Sequence, residues 1–201
     1  MGRIAGAPDV RLRDVAGTNV PATAARIIAT FGRARPADIE AGARWYVDAL
    51  AFVDEQARMH GKTREQVAAV IAHLSPRQRW DRTLKGTEIL LATGEAPGHL
   101  GRNVTNAQRA LRSADPLSTL TGRKTSRFAR NLLGDRQVVT VDVWAGRVAL
   151  GRRADLPLIL ARVGAYEAIE HSYRVAAQRL GVAPATAQAT TWVVARNGRA
   201  A

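Results

Sequence analysis

Apolar residues recur at helical spacing along almost the whole chain. In ADIEAGARWYVDALAFVDEQARMHG, the residues Ile39, Ala43, Tyr46, Leu50, Val53 and Ala57 alternate steps of four and three. That spacing predicts one face of a long helix over 37–61, stopped by Gly61. TREQVAAVIAHL opens on Thr63 with Gln66 three residues on, the pattern of a capping box. SPRQRWDRTLKGTEILLATG repeats the device with Ser75 and Gln78, places Pro76 at the first helical position and closes at Gly94. GRNVTNAQRALRSA and DPLSTL predict two short helices, and GRKTSRFARNLLG a further one ending at Gly134. DVWAGRVALG predicts a helix that Asp142 caps and Gly151 ends. AYEAIEHSYRVAAQRLG and PATAQATTWVVARNG predict the last two. Alternation of period two is confined to RQVVTV, too short to make a sheet. The pattern therefore predicts an all-α protein of about eight to ten helices. Residues 1–19 lack periodicity and read as a loose basic arm, with a single helical domain over 20–201.

Composition narrows the field. No apolar run approaches the roughly 20 residues that a membrane helix needs. The N-terminal stretch MGRIAGAPDVRLRDVAG lacks the apolar centre of a secretory signal. With no cysteine, disulfides, thiolate zinc sites and thiolate-held clusters are excluded. The same absence fits a reducing cytoplasm, in a bacterium or a phage-infected bacterial cell. His60, His73, His99 and His171 show no metal-ligand spacing and read as structural, so no cofactor or metal is expected. Charge says more. Thirty Lys and Arg against 17 acids give a net charge of +13, most of it arginine. GC-rich coding would produce many arginines without a function. A charge this far from zero points instead to a polyanion, above all nucleic acid.

Against that background, RQVVTVDVWAGRVALG raises a question. Asp142 sits in an apolar run between Val138, Val139 and Val141 on one side and Val143 and Trp144 on the other. Burying a carboxylate there costs several kcal/mol, of the order of magnitude usual for uncompensated ions, unless it is paired. Lys124 lies eighteen residues upstream, in LSTLTGRKTSRFARNLLG. The order is a short helix, a Gly-bearing turn, a lysine at a helix start, an extended link and an aspartate at the next helix start.

This order resembles the helix-hairpin-helix DNA glycosylases, most closely the endonuclease III family. Their hairpin reads roughly L-P-G-V-G-x-K-T-A and is followed by V-D-T-H-x-x-R-V, with the lysine and aspartate also about eighteen residues apart. Gly122, Lys124 and Thr125 fall on the first pattern, and Val141, Asp142, Arg147 and Val148 on the second. VIAHLSPRQRWDRTLKG resembles the family's L-L-S-A-Q-x-T-D turn. LGRNVTNAQRAL resembles I-G-x-x-x-x-K-A-x-x-I through Gly101 and Ala107, and ATTWVVARNGR resembles H-x-W-L-I-x-H-G-R through Trp192, Gly198 and Arg199. Residues 62–199 lie over the family's order. Two features depart from it. LTGRK is two residues and one glycine shorter than the family's hairpin, and the chain stops where the family's cluster-binding cysteines would begin.

The resemblance implies two helical lobes flanking a cleft, a monomer, and a partner that is double-stranded DNA. It also implies removal of a damaged or modified base. Breaking the base–sugar bond builds positive charge on the sugar, which an ionised Asp142 would stabilise while activating the nucleophile. Water as nucleophile gives a plain glycosylase. Lys124, with its pKa lowered by burial and by Arg123 and Arg127, would attack the sugar carbon and add AP-lyase activity through a Schiff base. Gly122, Arg123, Thr125 and Arg127 are then DNA contacts. Arg77 or Gln78 fills the gap left by the extruded base, and Trp80 and Trp144 stack on it or its neighbours. Trp45 and Trp192 read as core. The plainer readings are a helix cap for Asp142, a phosphate contact for Lys124, a capping-box member for Gln78 and core for the tryptophans. The shortened hairpin favours an alternative: a non-catalytic DNA-binding or DNA-modification-associated protein that keeps the fold.

Overall fold

The structure, a computed structural model, describes residues 20–151 and 153–197. The expected N-terminal arm and the motif residues Gly198 and Arg199 lie outside them. The protein is all-α, and no strand occurs among the described residues. Among the described residues ten α-helices follow one another: α1 (Val20–Phe31), α2 (Pro36–His60), α3 (Arg64–Leu74), α4 (Trp80–Thr93), α5 (Gly101–Arg112), α6 (Arg123–Leu132), α7 (Val143–Leu150), α8 (Leu156–Leu160), α9 (Ala165–Leu180) and α10 (Pro184–Arg196). A 3₁₀ turn, Leu117–Thr119, precedes α6.

The chain divides into two compact units. One is Arg44–Thr140. The other joins the chain up to Ala43 with the chain from Val141 onward, and α2 crosses the boundary.

In the Arg44–Thr140 unit, α3 is the central helix. Every residue from Val67 to Leu74 is buried, as expected of a helix that is apolar all round. Its small residues Ala68, Ala69 and Ala72 let α4, α5, α6 and the 3₁₀ turn approach closely. Val70, Leu74, Leu90, Ala96 and Ala107 form a core cluster, closed by Val104 and Leu111. Each large side chain buried here contributes about 1.5–3 kcal/mol. The predicted capping box starts α3: Thr63 Oγ1 accepts the Gln66 N–H and Gln66 Oε1 accepts the Thr63 N–H. The Gln66 amide also donates to the Leu111 carbonyl, which ties the start of α3 to the end of α5.

In the other unit, α9 packs against α1, α7, α8 and α10. Gly42 permits a close crossing: a Cβ there would sit 2.6 Å from the Thr190 backbone. α8 is capped by Asp155, whose Oδ1 accepts the Leu158 N–H. Its continuous apolar run, LPLIL, shows no helical period, so the pattern did not predict it.

Three expectations need correcting. No capping box forms at Ser75 and Gln78. Ser75 is the C-cap of α3, its hydroxyl donates to the Ala72 carbonyl, and Pro76 lies in a turn before α4 begins at Trp80. The buried face of α2 is Asp38, Gly42, Tyr46, Ala49, Val53, Gln56 and Ala57, while Ile39 and Ala43 are exposed and Leu50 is half-buried. The face is fixed by which neighbours α2 meets, and Gly42 is one of those meeting points. Finally, Trp45 and Trp192 are half-buried, not core.

RQVVTV is not a strand; the chain bends at Gln137 and Val138. The fully buried Asn131 side chain satisfies it: its Nδ2 donates to the carbonyls of Asp135 and Val138, at 2.7 and 3.0 Å, and its Oδ1 accepts from the Thr140 hydroxyl at 2.8 Å. Asp135 Oδ1 accepts the Gln137 N–H. Asn131→Ala leaves buried carbonyls and a hydroxyl without partners, each worth about 1–3 kcal/mol. We expect a loss of roughly 2–4 kcal/mol in urea unfolding on that basis. A loss under about 1 kcal/mol would show that water replaces the amide and that Asn131 is dispensable.

Candidate nucleic-acid interface

The hairpin is built on α3. Its first arm, the 3₁₀ turn, is fixed by a 2.9 Å hydrogen bond between His73 Nε2 and the Thr119 hydroxyl. Burial, and then the nearby Arg109 charge, lower the His73 pKa to about 4, so the ring is neutral at physiological pH. Leu120 is buried beneath the turn. Gly122 then starts α6 without a side-chain cap; the Thr125 hydroxyl donates back to the Gly122 carbonyl at 2.9 Å. Phe128, Ala129, Asn131 and Leu132 form the buried face of α6. Arg123 is exposed, and Lys124, Thr125 and Arg127 are half-buried. The first turn of α6 therefore carries Arg123 and Lys124 and no acid. Cations at a helix N-terminus oppose the macrodipole, at a cost of about 0.3–1 kcal/mol each. An anion arriving there gains from the cations and from the uncapped N–H groups together.

The turn before α4 lies in the same unit. Arg77 has φ 62° and is exposed, the only non-glycine residue with positive φ among those described. Such a conformation costs of order 1 kcal/mol and persists where surroundings impose it. Gln78 is committed elsewhere: its Nε2 donates to the Gly98 carbonyl at 2.9 Å. Arg79 pairs with Asp81. Trp80 lies 4.9 Å from Trp45, centroid to centroid, and both rings contact Phe128 of α6, at 6.2 and 6.1 Å. Trp80, Arg77 and the hairpin helix are thus parts of one unit, and Trp45 joins them. The signal for Trp45 was its neighbour: WY in a long helix puts one aromatic into the core and leaves the next at its margin.

Asp142 and Trp144 belong to the other unit. Asp142 is the N-cap of α7, half-buried, with Oδ1 accepting the Ala145 N–H at 2.7 Å. Two buried tyrosines hold the backbone around it. The Tyr166 hydroxyl accepts the Val141 N–H at 2.9 Å, and the Tyr173 hydroxyl donates to the Ala145 carbonyl at 3.1 Å. Burial above all, with the Asp142 charge in support, pushes the Tyr173 pKa up, while a hydrogen bond with Thr191 works against them. Tyr173 therefore stays a proton donor. Neither tyrosine was singled out by sequence. Trp144 is half-buried, with the Arg147 guanidinium 5.4 Å from its ring centroid. Among the described residues, no group of three His, Asp or Glu side chains is placed to hold a metal ion, and no helix is long and apolar enough to cross a membrane.

The chain belongs to a family of unknown function, DUF7178. The match covers residues 9–199, so every residue named above falls inside it. No curated protein and no solved structure matches the chain.

Two outcomes follow from this geometry. Asp142→Ala removes the cap and should cost about 0.5–2 kcal/mol in chemical unfolding, whereas Asp142→Asn, a cap of equal rank, should cost much less. Equal losses would mean that the Ala145 bond is not what holds the start of α7. For His73, the unfolded value is near 6.5 and the folded value about 4, so the unfolded chain binds the extra proton. Stability should fall as pH drops through the window from about 6.5 to about 4, and His73→Gln should flatten that part of the curve. An unchanged slope would exclude His73 as the group responsible.

Proposed function

We propose that this protein is a DNA N-glycosylase of the helix-hairpin-helix kind. It binds duplex DNA through the α6 N-terminus, breaks the bond between a damaged or modified base and its sugar, and has AP-lyase activity through Lys124. The observation that carries the reading is the start of α6. A 3₁₀ turn, a glycine and two cations with no acid form a helix–turn–helix end suited to a phosphate.

In this reading Asp142 stabilises the positive charge that grows on the sugar as the base departs. A carboxylate at the α7 N-terminus is favoured by the helix dipole. Tyr166 and Tyr173 fix the backbone on either side of it. Lys124 attacks the sugar carbon, the base leaves with the bonding pair, and loss of a proton from nitrogen and ring opening give the Schiff base; elimination then breaks the strand. Between Arg77 and Gln78, the reading favours Arg77 as the residue that fills the vacated stack, since Gln78 is tied to Gly98. Trp80, backed by Trp45, is the stacking surface.

Duplexes carrying a panel of damaged and modified bases, incubated with borohydride, test this directly. At least one should be cleaved and trapped. Asp142→Asn should lower excision by about 100-fold or more while the fold and DNA binding persist. Lys124→Gln should abolish trapping; weaker binding with excision retained would make Lys124 a phosphate contact. Salt-dependent DNA binding with no excision across the panel would leave the non-catalytic alternative standing.

A further inference from the structure

We infer that α5 is a second phosphate-contacting surface: Arg102, Arg109 and Arg112 form a track that grips the DNA backbone beside the hairpin. The inference rests on the DNA-binding half of the proposed function and not on base excision.

Arg102, Thr105, Arg109 and Arg112 are all exposed. Their spacings of three, four and three residues place them on one face of α5. At 1.5 Å per residue the arginines span about 15 Å, the axial reach of roughly four phosphates on one strand. The opposite face, with Asn103, Ala107 and Ala110, is buried.

Among the described residues these arginines have no carboxylate partner, whereas five other surface cations of the unit do. Arg44 pairs with Asp48, Arg64 with Asp54, Arg79 with Asp81, Lys85 with Glu88 and Arg130 with Asp135. Arg102, Arg109 and Arg112 form no ion pair among the described residues, and α5 contains no Asp or Glu at all. Basic residues at a helix C-terminus are ordinary, so Arg109 and Arg112 alone would be explained by the dipole. Arg102 is not. It stands in the first turn, behind an N-cap, Leu100, that has no side-chain bond. Among the described helices, α5 and α6 alone put a cation in the first turn with no acid beside it or at the cap; α2, α3, α4 and α9 carry acids there, and α7 and α8 are capped by Asp. α5 packs against the 3₁₀ turn that precedes α6. Arg109 acts electrostatically on His73, whose ring holds this 3₁₀ arm of the hairpin. The track therefore adjoins the hairpin.

The test compares two triple variants of the full chain that lose the same charge. One is Arg102→Gln, Arg109→Gln, Arg112→Gln; the other changes the paired Arg44, Arg64 and Lys85 to Gln. Binding to a labelled DNA duplex is measured across a salt series by anisotropy. Losing three phosphate contacts should reduce the slope of log K against log salt by about 2.7, at about 0.9 per phosphate. The control triple should reduce it by less than about 1. Equal reductions in the two variants, or none in the α5 variant, would overturn the proposal, as would a wild-type chain that grips A-form RNA duplex more tightly through α5 than DNA. Wild-type binding that depends on salt without any base excision would sink the glycosylase reading and leave this one intact; wild-type affinity flat with salt would sink both.

Discussion

One buried amide does the work of a missing strand. Between α6 and α7 the chain runs without regular structure through apolar residues, where each unpaired backbone group costs about a kcal/mol or more. No neighbouring strand is there to receive it. Asn131 supplies two donors and an acceptor from the buried face of α6, and Tyr166 takes the next donor at Val141. The β-branched residues that made RQVVTV look like a strand are used for their stiffness and burial, not for a ladder. The segment joins the helix that bears Lys124 to the helix that Asp142 caps.

What sequence disclosed was mostly local. Thr63 with Gln66, Asp142 at α7, and the glycine stops at 94, 151 and 181 each depend on a few adjacent residues, and each appears in the structure. Ser75 and Gln78 show where local reading fails. The residues fit a capping box, but the chain needs a left-handed step at Arg77 and a side chain from Gln78 to reach Gly98. Both demands are tertiary, and they override a motif worth about 1 kcal/mol. The face of α2 was misjudged at one end for the same reason, since periodicity gives the existence of a face and its partners give its angle. Of the candidate site, the charge and the identity of Asp142 and Lys124 were legible. The tyrosines beside Asp142 and the track on α5 were not, because they become visible only when residues far apart in sequence share a side.

Local consistency is the norm in this molecule, which gives its exceptions meaning. Four described helices start with acids and two more are capped by aspartate, as the dipole favours. At α5 and α6 the sign is reversed. A composition bias toward arginine would scatter cations over all helix starts alike. Here they gather without acids on two helices of one unit, an arrangement that the helix dipole disfavours.

Asp142 carries the opposite charge at the start of α7, and its role as a cap does not compete with chemistry. The Ala145 N–H donates to Asp142 Oδ1 at 2.7 Å. That bond also fixes the rotamer, which an unsupported aspartate would lose to solvent. Tyr173 reinforces it indirectly: its hydroxyl holds the Ala145 carbonyl, and its raised pKa keeps that donor protonated beside the carboxylate. Two buried phenols thereby hold the peptide units flanking Asp142. A residue that only ended a helix on an open surface would have no need of such support. The same support suits a carboxylate that must hold one geometry while positive charge develops nearby, because preorganised groups stabilise a transition state without reorganising during it.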